Sequence, residues 1–418
     1  MTQPFSLVTL AKQILEAAEE IEIANSTEDT AKHAREKIAS AAQQLRTMVV
    51  TAPELLEQHQ VSYQSLSCLG WLVRFDIFSQ VPTDFTAMAY TDLATRAAVP
   101  LVQLQSVARM AMTSGLFTET SPTHIAHTRL SASFATDESL RDWALFMTQY
   151  SAPMANNMAL ATARWGETTA KHETAFNVAF DTKLPYFDYV KATPGLADLF
   201  AGYMRSMGRS ESGRLQHLVE GFDWAALPEG AIIVDVGGST AQASIALAVA
   251  FPHLRFVVQD LAEVVAAGPR MLEHLAAADV ASRITFVAHD FFEAQPGFSS
   301  DGAPRIYLLR KILHDWPAER ARDILSHLAR ALADNEKVEA RIVIMDTILP
   351  PPGTLDPIEE ASLRVRDLTM AQCFNSKERE LAEWEELLQG TSPVLEIASW
   401  KQPPGSAMAV IEAKLKQL

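Results

Sequence analysis

Cysteine is nearly absent. Only Cys68 and Cys373 occur in 418 residues, far apart and without metal-type spacing, which argues against both a disulfide framework and a structural zinc site. Basic charge is also short. With 35 Lys and Arg against 51 Asp and Glu, the formal net charge of −16 repels phosphate backbones, so nucleic acid is a poor partner. No apolar run approaches the roughly 20 residues needed to cross a bilayer. The segment Met1–Phe5 lacks the basic region and apolar core of a secretory leader. What remains is an ordinary globular composition, 48% hydrophobic and 21% charged, long enough for two or three domains. A soluble cytoplasmic protein is the expectation.

The chain reads as three segments, 1–135, 136–225 and 226–418. Residues 5 to about 60 predict alanine-rich helices, with Leu10, Ile14, Ala17 and Ala18 at helical spacing and a polar break at Asn25. Leu66, Leu69, Leu72 and Val73 predict another helix over 62–80. A short helix then starts near Tyr90, with Thr91 as its cap, and Pro100 opens a second that runs to Gly115. Two further short stretches, around Leu116 and His124–Leu130, could form a wing. Helix, turn, helix and wing outline a winged-helix domain. Its second helix carries a single basic residue, Arg109, so a structural module that pairs subunits is favoured over a DNA reader. Residues 137–220 are again helical, and Met147, Met154 and Met158 are core filler or the lining of an apolar pocket.

After residue 230 the texture changes. Short apolar runs begin at Ala231, Arg255, Ile284, Arg305, Arg341, Val394 and Met408, and the first five are mostly separated by helices. That is the pattern of a buried, mostly parallel sheet, which binds its ligand at the carboxyl ends of the strands. The first run ends in Val236-Gly237-Gly238, a tight turn that permits close approach to a ligand. The second ends in Asp260, 25 residues beyond Asp235, a distance suited to bonding a ribose diol. An exposed helix cap is the plainer reading of Asp260. The third ends in Asp290-Phe291, a carboxylate beside a ring that can hold an adenine or simply start a turn. The fourth leads into Leu313-His314-Asp315-Trp316.

This last run, following Val234–Gly238 and preceding Ile348-Leu349-Pro350, resembles the plant and fungal family of S-adenosylmethionine-dependent O-methyltransferases. The similarity covers most of the chain and is strongest between residues 220 and 390. It implies a winged-helix homodimerisation region followed by a seven-stranded Rossmann-like catalytic domain, with S-adenosylmethionine as cofactor and no metal. By position, His314 matches the catalytic histidine, and Asp346 and Glu378 match the acids that orient it. Gly237, Gly238, Asp260, Asp290, Phe291 and Arg310 match cofactor-contacting or neighbouring positions. The residue types suit the chemistry: an imidazole can accept the acceptor's proton, and a carboxylate on its other nitrogen fixes the tautomer.

Two departures stand out. Ala241 occupies a position where the family commonly has glycine, so its methyl either crowds the cofactor or is absorbed by a backbone shift. Lys311 replaces a common aromatic, and its simplest reading is a solvent-facing side chain. The expected reaction is methyl transfer to a hydroxyl of a small aromatic or polyketide-type secondary metabolite. Met154, Met158, Met370 and Phe374 are the pocket candidates. The rival is a cofactor-retaining pericyclase or dehydratase of the same fold, in which Lys311, Arg310, His127 and His314 would polarise the substrate. A non-catalytic dimeric winged-helix scaffold or regulator is the third reading.

Overall fold

Seven of the strands foreseen after residue 230 join in one sheet. In the computed structural model, which describes residues 6–23, 27–209, 211–297, 303–334 and 339–417, they are β1 (Ile232–Val236), β2 (Arg255–Asp260), β3 (Ile284–Ala288), β4 (Ile306–Arg310), β5 (Arg341–Asp346), β6 (Leu395–Lys401) and β7 (Ala409–Leu415). Their order is β6-β7-β5-β4-β1-β2-β3. β1 to β5 pair in parallel, and β7 lies antiparallel between β5 and β6. The chain leaves β1 for β2 on one side and returns to β4 on the other. That reversal opens a crevice at the carboxyl ends of β1 and β4, where an open α/β sheet takes its ligand.

Burial explains why the strands read as unbroken apolar runs. Val234, Leu308, Ile342 and Ile344 are fully buried. Helix Ala318–Ala333 lays Ala321, Ile324, Leu325, Leu328 and Leu332 against the sheet at helical spacing. Each such large side chain contributes about 1.5–3 kcal/mol on burial.

The chain divides into two compact units rather than three segments: Met1–Tyr150 with Pro350–Val365, and Ser151–Leu349 with Arg366–Leu418. Packing across residue 225 is continuous. Leu218 and Trp224 are fully buried in one cluster with Ile233 and Phe256, so the segment before β1 belongs to the sheet's own core.

Within the first unit, helices Leu7–Glu22, Glu28–Val49 and Ala52–Arg74 come first. The break expected at Asn25 and the segment 1–5 lie outside the described residues. The third helix starts ten residues before the predicted 62, because the Thr51 backbone N–H donates to the Glu54 carboxylate at 2.8 Å and caps it. Helix Tyr90–Ala97 is capped by Ala89, not Thr91, which sits inside its first turn. Helix Leu101–Met112 and a hairpin of Thr118–Ser121 with His124–Ala126 follow. Arg109 pairs with Glu119 at 2.7 Å, so the one basic side chain of the second helix is bound within the unit. No helix of the described residues is long and apolar enough to cross a membrane.

Candidate active site

The turn after β1 is built from left-handed backbone. Gly237, Ser239 and Ala241 have φ of +70°, +48° and +62°. A Cβ on Gly237 would come within 2.6 Å of Ile312 Cδ1 and 3.6 Å of Phe291, and one on Gly238 within 2.7 Å of Asp235. Glycine is therefore required at both positions. Ala241 is fully buried and adopts the left-handed region. That conformation costs an L residue roughly 1–2 kcal/mol.

Asp260 is tied to this turn and is not a helix cap. Its carboxylate accepts from Ser239 N at 2.9 Å and Leu261 N at 2.8 Å, and burial pushes its pKa up. Under the turn, Asp235 is buried and accepts from Ser244 Oγ at 2.7 Å; burial raises it to about 6. Asp290 accepts from Phe292 N at 2.9 Å, so it does start a turn, and it is exposed. Phe291 packs edge-on against Trp316, with ring centroids 5.8 Å apart, and borders Gly237. Arg310 ends β4. Its Nε is buried without a partner among the described residues, and Nη2 donates to Gly213 O at 3.4 Å.

His314 lies on a short 3-10 turn, Leu313–Asp315, just after β4. Its side chain is 15% exposed. Nδ1 is 3.0 Å from Glu378 Oε1 and 3.3 Å from Asp346 Oδ1, while Nε2 is 3.5 Å from Asp315 Oδ1. The three residues assigned by resemblance thus converge from separate elements. β5 delivers Asp346, and the two-residue ladder pairing Arg379 with Ile348 and Glu380 with Leu349 delivers Glu378. Glu378 N donates to Asp367 at 3.0 Å. Arg379 locks the turn by donating to the carbonyls of Leu313 and Trp316 at 2.8 and 2.6 Å.

Electrostatics follow from this crowding. Burial by itself would push the His314 imidazole down, but Asp346, Asp315 and Glu378 together raise it to about 10. Burial raises Asp315 to about 7 and raises Asp346 as well, against the pull of the imidazole. The carboxylates around His314 thus favour the protonated imidazole. The same imidazole and two carboxylates present ligand-type atoms within 4.8 Å of one another, a spacing that could also hold a metal ion. With separations of 32 and 64 residues, spacing gives no sign of that grouping, which the family resemblance alone brought together.

Lys311 is less exposed than the sequence suggests. It is partly buried, with a left-handed backbone at φ +56°. Burial and the neighbouring Arg310 and Arg366 push its ammonium down to about 7. Of the apolar candidates, Met154 is core, 1% exposed with Cys373 Sγ 3.5 Å from its sulfur. Met158 accepts from Gln372 Nε2 at 3.0 Å. Met370 is buried, and Phe374 meets Tyr186 edge-on and Phe187 face-on, both at 5.3 Å. His127 belongs elsewhere. It is buried in the first unit, between Ser131 Oγ at 2.8 Å and Phe78 O at 3.0 Å, stacked on Phe117. Both ring nitrogens are engaged, which makes it a core residue. The sequence reading missed Asp315, Arg379, Arg366 and Lys171, whose Nζ sits 3.3 Å over the Trp316 ring. Asp315 was visible as the neighbour of His314. The others had no signal.

Against known proteins, the O-methyltransferase domain family matches residues 164–392. The chain is 47% identical over 362 residues to O-methyltransferase pgmB of Aspergillus terreus, covering 86% of this chain and 99% of that one. It is 46% identical over 383 residues to the dual O-methyltransferase/FAD-dependent monooxygenase CTB3 of Cercospora nicotianae, covering 91% of this chain and 43% of that protein. The chain therefore spans less than half the length of that relative. The fold matches crystal structures of OxaC (TM-score 0.78, 20% identity, 98% of this chain and 99% of that one) and of a pericyclic reaction enzyme (0.73, 21%, 98% and 100%). At such identity these show the fold alone. The chain belongs to the O-methyltransferase family.

Proposed function

We propose that this chain transfers a methyl group from S-adenosylmethionine to a hydroxyl oxygen of a small aromatic or polyketide-type secondary metabolite, with His314 as general base. The observation that carries it is the imidazole held by Glu378 and Asp346 on one nitrogen beside the β1–β4 crevice. The crevice fits the cofactor: a glycine turn no Cβ could enter, a carboxylate at the end of β2, and an Arg310 Nε left without a protein partner. Gly237, Gly238, Asp260, Asp290, Phe291 and Arg310 would hold it. When bound, it supplies an electrophilic methyl on a sulfonium.

The chain's own task is to deliver a deprotonated oxygen in line with that methyl. Nδ1–H donates to the acids, and Nε2, 3.5 Å from Asp315 Oδ1, is the nitrogen that would accept the hydroxyl proton. The acids that make this nitrogen a strong base also keep it protonated, so the accepting form is minor near neutrality. An imidazole raised to about 10 matches a phenol, ordinarily about 10, so proton transfer is close to balanced. The first unit, with its helix pair and hairpin, would serve as a winged-helix dimerisation region, and the assembly would act as a cytoplasmic homodimer.

The test is mass spectrometry of the protein with S-adenosylmethionine and a panel of phenolic and enolic acceptors, repeated with His314→Ala. A product heavier by one methylene with S-adenosylhomocysteine released, both lost in the variant, is expected. A cofactor-dependent product isomeric with its substrate, or lighter by one water, would overturn the reading.

A further inference from the structure

The cluster around His314 holds more negative charge than its own residues balance. The side chains of Asp346 and Glu378 are each 1% exposed, and that of Asp315 is 19% exposed. Among the described residues, His314 is the one basic group within ion-pair distance of any of the three. Arg379 follows Glu378 in the chain, but its Nη atoms donate to the carbonyls of Leu313 and Trp316 instead. Glu378 Oε2 is buried and has no hydrogen-bond partner among the described residues. Buried charges in proteins are paired or coordinate metals. One imidazole cannot neutralise three carboxylates.

The surplus is arranged as ligands are. A ring nitrogen of His314 and one carboxylate oxygen each from Asp346 and Glu378 lie within 4.8 Å of one another. Nδ1 stands 3.3 Å from Asp346 Oδ1 and 3.0 Å from Glu378 Oε1. Bonds of about 2.0 Å to a tetrahedral zinc ion set neighbouring ligand atoms about 3.3 Å apart. One imidazole nitrogen and two carboxylate oxygens are zinc-type donors, with a fourth position left for water. The donors are also held in place: Asp346 ends β5, Glu378 adjoins the two-residue ladder, and Arg379 clamps the turn that carries His314.

We propose that His314, Asp346 and Glu378 form a binding site for a divalent transition-metal cation of the zinc class, and that the ion switches the base off. The site stands apart from the methyl-transfer reading; the switch rests on it, and no step of methyl transfer uses the ion. The cation takes the lone pair of Nδ1 and displaces the proton there. The ring's remaining proton is then held on Nε2, so that nitrogen can no longer accept a proton from the acceptor's hydroxyl. Bidentate coordination by Glu378 gives Oε2 the partner it lacks.

The test is competition of the full chain with a chromophoric chelator for zinc. The wild type is expected to take up one zinc ion per chain. Glu378→Gln should bind it at least about tenfold more weakly, the loss that even an outer partner of a metal ligand produces. His33→Ala removes an exposed histidine beside Glu36 and should leave the affinity within about twofold. If a thermal melt shows Glu378→Gln unfolded, Asp346→Asn carries the comparison. X-ray absorption of the zinc-loaded wild type should show nitrogen and oxygen donors with a single imidazole and no sulfur. No uptake by the wild type, uptake that survives both acid substitutions, uptake lost in His33→Ala, or a sulfur donor overturns the site. With a productive acceptor, bound zinc should stop S-adenosylhomocysteine release and a chelator should restore it; undiminished release from the zinc-loaded protein overturns the switch. The binding measurements need no turnover, so a His314→Ala variant that still methylates would overturn the base assignment and leave the metal site standing.

Discussion

Two histidines, one buried and one partly so, show how differently the two units use the same side chain. His127 sits among neutral partners, a serine hydroxyl and a backbone carbonyl, and burial pushes its pKa down. His314 is also shielded, yet three carboxylates overcome that shielding and raise it to about 10. Burial is common to both, and neighbouring charge decides the sign. The first ring is cemented into a core as a neutral tautomer, and the second is a proton carrier.

The contrast breaks most sharply under substitution. His314→Ala should lower the rate of S-adenosylhomocysteine release with a productive acceptor by about 10²–10⁴-fold, and it should also lower the melting temperature, because Asp346 and Glu378 stay buried without the imidazole. Asp260→Ala removes a charged hydrogen-bond acceptor from the glycine turn. Calorimetric titration should then show S-adenosylmethionine binding weakened about tenfold to a hundredfold, the equivalent of about 1.5–3 kcal/mol.

Glu378→Gln tests the charge argument itself. Removing one carboxylate lets the imidazole fall from about 10 toward its ordinary 6.5. Because the neutral ring accepts the proton, the rising limb of the pH–rate profile should move to lower pH. An unmoved limb would mean that another group titrates.

His127→Gln should act on stability without touching the active-site cluster, costing about 1–3 kcal/mol in denaturant unfolding, because the Ser131 hydroxyl and Phe78 carbonyl lose the ring. The sign with pH is fixed. A folded pKa below the ordinary 6.5 means that the unfolded chain binds more protons as the solution is acidified. Stability in the wild type therefore falls as pH drops below 6.5, and the variant should lose that part of the decline. The smallest effect is Ala241→Gly. Relief of the left-handed backbone and loss of a buried methyl oppose each other, so the melt should shift by no more than about 1 kcal/mol in either direction.

Much of this was legible before any coordinates. The seven strands could be read because both faces of each central strand are buried, leaving no polar alternation to blur the runs. The glycine turn and Asp260 followed from the strand ends. Asp346 and Glu378 were placed by resemblance alone, since nothing in the spacing of residues 314, 346 and 378 reveals a shared imidazole. Where the reading failed, tertiary contacts decided. His127 looks like any polar residue after a strand until Phe78, 49 residues away, supplies its acceptor. Lys311 looks exposed in sequence, but the fold leaves it partly buried. The Thr51–Glu54 cap was visible in sequence and simply overlooked.

The two-residue ladder between Ile348–Leu349 and Arg379–Glu380 is shorter than almost any strand pairing in the chain. It nevertheless works as a ruler for the histidine's acids. Side chains in extended backbone alternate faces, so a slip of one position there would turn Glu378 away from the imidazole and bring a neighbour in its place. The vulnerability this creates concerns length more than chemistry. A conservative swap in the 375–380 segment leaves the spacing intact, whereas a single-residue insertion or deletion would misalign the acid and the Arg379 clamp together.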